Sequence, residues 1–141
     1  MARIVVVEDD PVSARVVDRV LTRMGGHEVT ISEDGDEVLA LCATGRVDLL
    51  VMDISLANTT VEGDAVDGVR LTQLIRDRSP QYLPVLLVTA HAMQGDRTCL
   101  LQSTGADAYL AKPIVDHPAL VALVDDLLRG SEAGIVAAGG E

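Results

Sequence analysis

Positive charge is scarce in this chain. Eleven lysine and arginine residues stand against 22 aspartates and glutamates, for a net charge of −11, and Lys112 is the only lysine. A surface so acidic does not grip nucleic acid through its phosphates, and an anionic membrane repels it. Cysteine is equally rare. Cys42 and Cys99 fall in separate helical patterns without paired metal spacing, which excludes a disulfide framework or zinc site and leaves reduced, partly buried thiols. The three histidines lack ligand spacing as well. No apolar run approaches the ~20 residues of a membrane-spanning helix. Met1-Ala2-Arg3 leads directly into a strand pattern rather than a signal peptide, so the expected location is the cytoplasm.

What is present is a globular composition. The 141 residues are 48% hydrophobic and 23% charged, enough for one domain with a sizeable core. Strand-like and helix-like patterns alternate five times, which predicts an α/β fold with a parallel sheet. Strands are expected over residues 3–8, 27–32, 48–53, 84–89 and 107–111. Three of these are short continuous apolar runs, as strands covered on both faces require, while the more polar second one suits an edge. Asp10-Pro11 reads as an N-cap followed by proline at the first helical position. Val12, Val16, Val17, Val20, Leu21 and Met24 then repeat on one helical face up to Gly25-Gly26. Further helices are expected around Val38–Cys42, around Val69–Ile75, over 93–104 and after Asp116. Residues 1–129 form the domain, and 130–141, rich in small and polar residues, read as a flexible tail.

Chemically capable residues end the apolar runs. Ile4-Val5-Val6-Val7 leads into Glu8-Asp9-Asp10, Leu49-Leu50-Val51-Met52 into Asp53, Val85-Leu86-Leu87-Val88 into Thr89, and Ala108-Tyr109-Leu110-Ala111 into Lys112. In a doubly wound sheet of order 2-1-3-4-5 these ends share one edge, where open α/β proteins place ligands, and the first and third strands are neighbours. Glu8, Asp9 and Asp53 then crowd together. A hard divalent cation relieves their repulsion, and Mg²⁺ suits one or two carboxylates, waters and a phosphate oxygen. Phosphoryl transfer asks mainly for positioning and charge neutralisation. Asp53 has the chemistry of the nucleophile, Lys112 that of a counter-charge to the phosphoryl oxygens, and Thr89 that of a hydroxyl donor to one of them.

From Arg3 to about Arg129 the chain resembles the receiver domain of two-component response regulators. The resemblance rests on Val7-Glu8-Asp9-Asp10, Met52-Asp53, Val88-Thr89-Ala90 and Tyr109-Leu110-Ala111-Lys112-Pro113. It implies the flavodoxin-like receiver fold, and a phosphoryl group taken by Asp53 from a histidine kinase or histidine phosphotransfer protein. It implies Mg²⁺ held by Asp9, Asp53 and the Ser55 carbonyl, with Glu8 acting through water. By the same resemblance Lys112 would pair with the phosphoryl group, the Lys112–Pro113 peptide would be cis, and His91 stands either where it can influence access of water to the modified group or as a solvent-exposed residue at the entry of a helix. Thr89 and Tyr109 switch together and remodel the face of the fourth helix, fifth strand and fifth helix, where a downstream protein docks and through which a homodimer can form. Such a chain is a signalling phosphoacceptor, catalysing only its own phosphorylation and dephosphorylation.

One departure stands out. Where the family carries proline four residues after the acceptor, this chain has Ala57, and the segment Leu56 to Val66 is longer by roughly seven residues, an insertion a surface loop accepts at modest entropic cost. It reads either as a tolerated loop or as a lid or specificity loop. The favoured function is a free-standing receiver, on the strength of Met1 and the abrupt tail. The alternative is the same module detached from a hybrid kinase or multidomain regulator. A haloacid-dehalogenase-like phosphatase needs a second aspartate two residues after the first, where Ser55 stands. A flavodoxin-like cofactor binder meets acids at the binding edge and lacks a glycine-rich phosphate loop after the first strand.

Overall fold

The computed structural model describes residues 2–80, 82–89, 101–112 and 114–133. Five parallel strands form the main sheet: β1 (Arg3–Val7), β2 (Glu28–Ser32), β3 (Leu49–Asp53), β6 (Val85–Thr89) and β7 (Ala108–Ala111), in the spatial order β2-β1-β3-β6-β7. Counting sheet strands alone, this is the expected 2-1-3-4-5 order. Each strand begins one residue later than expected or on the expected residue, and the polar β2 lies on an edge. Alternate residues of the apolar runs serve opposite faces. Val5, Val7, Leu50, Met52, Val85 and Leu87 face a core closed by Val38, Leu39 and Cys42 of α2 (Gly35–Ala43) and by Leu71 and Ile75 of α3 (Gly68–Arg78). Ile4, Val6, Leu49, Val51, Leu86 and Val88 face a second core, closed by Val17 of α1 (Pro11–Arg19), by Val20 and Leu21 just beyond it, and by Leu120, Val124 and Leu127 of the C-terminal helix.

Caps set the helix starts. Asp10 accepts from the Ser13 amide with Pro11 at the first position, Asp34 accepts from the Asp36 and Glu37 amides, and Asp67 accepts from the Arg70 amide. Asp116 accepts from the Ala119 amide and opens the last helix. Residues 101–104 are helical and are labelled α4; the rest of the helix expected over 93–104 lies outside the described residues. The last helix, α5 (His117–Ala133), runs past Arg129 into the stretch read as tail.

Two readings of α1 need correction. Val12 and Met24, placed on its apolar stripe, are exposed, and the helix ends in a π-helical segment, Val20–Met24. The 3.6-residue period runs on beyond the sheet that could cover it, so the end positions of the stripe reach solvent. The insertion after Asp53 contains an unpredicted element, the antiparallel hairpin of β4 (Thr60–Val61) and β5 (Asp64–Ala65). Its turn residues Glu62 and Gly63 both have positive φ, at 53° and 87°, as a two-residue type I′ turn demands.

At the far edge, a cluster fastens α3 to the sheet. Arg76 donates to the carbonyls of Leu83 and Gly105 and pairs with Asp107, while its guanidinium lies 5.0 Å from the Tyr82 ring centroid. Asp107 also accepts from the Val85 amide and from the Tyr82 hydroxyl. Burial raises its carboxyl above the ordinary range although Val85 and Arg76 pull the other way. His27, whose side chain is 9% exposed, bridges the Ala2 amide and Asp125 of α5, which makes it a structural residue.

Two outcomes follow from this packing. A Cβ on Gly68 would stand 2.1 Å from the Asp53 carbonyl oxygen and 2.7 Å from the Ile54 Cα, both backbone atoms. Gly68→Ala should therefore cost about 1–3 kcal/mol of overpacking strain in urea denaturation, and an unchanged midpoint would contradict the close approach. Burial pushes the Cys42 thiol up to about 11, so it stays protonated at pH 8. Peptide mapping after iodoacetamide treatment of the native protein should find Cys42 unmodified.

Candidate functional site

Parallel register brings the chemistry to one edge. Val7 pairs with Met52, Asp53 with Val88, and Thr89 with Ala111. The residues at and just past the strand ends, Glu8, Asp9, Asp53, Thr89 and Lys112, therefore gather at the carboxyl edge on either side of β3. This is the switch point of a doubly wound sheet.

Glu8, Asp9 and Asp53 each offer a carboxylate oxygen, and the three lie within 4.8 Å of one another. Glu8 and Asp53 are buried, at 6% and 4% exposure, and Asp9 is half-buried. Each carboxylate has a backbone donor. The Asp10 amide donates to Glu8 Oε2 at 3.2 Å, the Ser55 amide to Asp53 Oδ1 at 3.0 Å, and the Ala57 amide to Asp9 Oδ2 at 2.7 Å. Lys112 Nζ stands 2.6 Å from Glu8 Oε1 and 3.5 Å from Asp53 Oδ2. Burial first, and then the Asp53 carboxylate, push Glu8 up to about 7 against the pull of Lys112 and the Asp10 amide. Burial alone would lower the Lys112 ammonium, but its hydrogen bond to Glu8 and the charge of Asp53 hold it above its ordinary value.

Of the residues expected at the site, Glu8, Asp9, Asp53 and Lys112 converge, and Ser55 directs its amide to the Asp53 carboxylate. Thr89 ends β6 beside Ala111, so its backbone is at the edge. Tyr109 lies in β7, partly buried against the α2–α3 core. His91, Cys99 and the Lys112–Pro113 peptide lie outside the described residues. Asp10 caps α1 as expected, and its hydrogen bonds with Ser13 hold its carboxyl below the usual range. Sequence reasoning missed two contacts, the direct Lys112–Glu8 pair and the Ala57 amide on Asp9. Neither has a sequence signal, because each depends on where a loop or a long side chain settles.

Residues 4–125 match the response regulator receiver domain. The chain belongs to that family. It is 34% identical over 112 residues to the polar-differentiation response regulator DivK of Brucella anthropi, a match covering 79% of this chain and 84% of DivK. It is also 34% identical over 119 residues to the sensor protein GacS of Pseudomonas syringae, where 82% of this chain aligns with only 12% of the relative. Among solved structures, the CheY-like receiver domain protein of Methanospirillum hungatei superposes with a TM-score of 0.77 at 25% identity, over 95% of this chain and 98% of that one. The receiver domain of a sensor histidine kinase from Pseudomonas aeruginosa, with magnesium coordinated in its active-site cleft, gives 0.73 at 32% identity over 91% and 98%. The family, the fold and the sheet order are those expected from the sequence. No helix among the described residues is long and apolar enough to cross a membrane.

Among the described residues, Lys112 is the cation that pairs with the two buried carboxylates Glu8 and Asp53. Lys112→Ala should lower the unfolding free energy, read from urea denaturation in EDTA, by an amount on the order of 1–3 kcal/mol, the cost of leaving buried polar groups without their partner. An unchanged midpoint would mean that the ammonium contributes no net stabilisation.

Proposed function

We propose that this receiver is a phosphoacceptor of a two-component phosphorelay, taking a phosphoryl group on Asp53 from a phosphohistidine of a kinase or phosphotransfer protein. The single observation that carries this reading is the convergence of Asp53 with Glu8, Asp9 and Lys112 at the switch-point edge. In the transfer, an Asp53 carboxylate oxygen forms a bond to phosphorus as the phosphorus–nitrogen bond to histidine breaks, and the electron pair stays with the departing imidazole. The Ser55 amide on Oδ1 leaves the other carboxylate oxygen to react. Lys112, already 3.5 Å from Asp53 Oδ2, needs only to exchange Glu8 for an incoming phosphoryl oxygen.

The donor set fits Mg²⁺. Three carboxylates within 4.8 Å form an oxygen-only group of the kind a hard cation prefers, and burial first, then the Asp53 carboxylate, disfavour the charged form of Glu8. Asp9 and Asp53 would hold the ion, with the Ser55 carbonyl, and Glu8 would act through water. Bound there, Mg²⁺ supplies the positive charge that balances the phosphoryl oxygens in the transfer.

An acceptor of this kind turns over no separate substrate; Lys112 and the acidic pocket serve Asp53 alone. Beside the pocket, a cavity of about 150 Å³ is lined by Val12, Ser13, Val16, Val17, Lys112 and Ile114. Val12 in that lining is 70% exposed, and Val115, which follows the lining residue Ile114 in sequence, is 79% exposed. An exposed apolar patch beside the charged pocket suits docking of a protein donor that carries the phosphohistidine. Output through Thr89 and Tyr109 to the face of α4, β7 and α5, with a downstream protein or a second copy bound there, belongs to the same reading, as does a cytoplasmic location. The likeness to a short stretch of GacS supports a second reading, in which the module serves a hybrid kinase. The chemistry at Asp53 is common to both, and the full reading frame of the gene separates them.

Acetyl phosphate or a phosphorylated kinase should label the protein only when Mg²⁺ is present, and Asp53→Asn should abolish the label. Acid-labile phosphate persisting in that variant would move the acceptor elsewhere. Lys112→Ala should retain the cation but fail to pass the signal to a partner.

A further inference from the structure

The insertion after Asp53 is built into the molecule rather than draped over it. Val61 is buried against the α2–α3 core, and Leu56 joins it there. Buried Thr59 donates from its hydroxyl to the Glu33 carbonyl at 2.9 Å, and the Val66 amide donates to the Thr59 carbonyl at 3.0 Å. The Glu62 amide at the turn donates to both oxygens of Asp36, at 3.1 and 3.3 Å. Gly35 lets the hairpin approach the start of α2, since a Cβ there would stand 2.5 Å from the Thr60 carbonyl oxygen. The Gly68 amide returns the chain to the Ile54 carbonyl at 3.0 Å. Between these anchors lies Ala57, whose amide reaches across 48 positions of sequence to Asp9 Oδ2 at 2.7 Å.

That last bond joins the segment leading into the hairpin to the acidic pocket, at a position where the family's proline has no N–H to give. Asp9 is the most exposed of the three carboxylates, so nothing in the core fixes its rotamer. A hydrogen bond to one oxygen orients the carboxylate and leaves the other directed to a ligand, as outer partners of metal-binding carboxylates do. We propose that the inserted hairpin is a positioning element of the cation pocket, holding Asp9 through the Ala57 amide so that cation binding and hairpin docking reinforce each other. Ala57 is a positioning residue here, acting through its backbone and touching no ligand. The inference rests on the reading of the pocket as a divalent-cation site. Linkage makes the coupling reciprocal: whatever factor the docked hairpin adds to cation affinity, the cation returns to docking.

The test uses Mg²⁺ alone as the probe, with calorimetric titration of the natural chain, Ala57→Pro, which removes the N–H, and Ala57→Gly, which keeps it. Ala57→Pro should bind Mg²⁺ about tenfold more weakly, at the lower end of the range for lost outer-sphere partners, and Ala57→Gly should bind as the natural chain does. Equal affinity in a folded Ala57→Pro protein overturns the proposal while leaving the cation site intact. No Mg²⁺ uptake by the natural chain overturns the cation reading and this inference together. If Ala57→Pro does not fold, hydrogen exchange of the natural chain decides: Mg²⁺ should slow the amides of residues 57–66 by about the same factor, relative to EDTA, through linkage. Rates unchanged by Mg²⁺ overturn the proposal.

Discussion

Three carboxylate oxygens held within 4.8 Å of one another repel, and the fold tolerates this only because Lys112 reaches in between two of them. The ammonium lies 2.6 Å from Glu8 and 3.5 Å from Asp53, yet it does not settle the account, since burial still drives Glu8 up to about 7. Positive charge is therefore in deficit at the one place where the sheet brings its strand ends together. Such a deficit is costly to stability and useful to chemistry, because an incoming cation enters a pocket already short of its complement, and only then can a phosphoryl group be balanced there. The rest of the molecule holds that deficit in place. Two apolar cores lock β1, β3 and β6 into register, and the register keeps the acids from moving apart.

Those cores were the most legible part of the sequence, for a physical reason. Parallel strands covered on both faces must be apolar at every position, so Ile4–Val7, Leu49–Met52 and Val85–Val88 read as unbroken runs. The first polar residue after each run then marks the carboxyl edge. This is why Glu8, Asp9, Asp53, Thr89 and Lys112 could all be found without coordinates. Two helix starts were as clear, because Asp10 and Asp116 cap them by a contact three residues long; Asp34 and Asp67 cap α2 and α3 in the same way but were not singled out from the acids around them.

The hairpin was illegible for the opposite reason. Strands of two residues have no period to detect, and Glu62, a residue seldom found at positive φ, hides a turn that asparagine or glycine would have announced. The Lys112–Glu8 pair was missed because a lysine chain is long enough to choose among several acids, and the choice is made by packing. Val12 and Met24 show the converse error: a periodic stripe predicts a face but not how far the sheet beneath it extends.

The ordering of the insertion calls for its own explanation. Closing a longer loop adds little entropic cost, whereas fixing each residue costs about 1–2 kcal/mol, so a tolerated loop would be left loose. This one spends a buried valine, a buried threonine hydroxyl and a glycine contact on staying docked against α2. Its tip carries Glu62 and Asp64, which add negative charge to an already acidic neighbourhood and would favour moving away. The amides at Glu62 and Ala57 add to that docking, each by donating to a carboxylate, Asp36 in one case and Asp9 in the other. Backbone N–H groups thus do at this edge what the sequence has almost no lysine to do, and one of them, at Ala57, reaches an acid of the pocket itself.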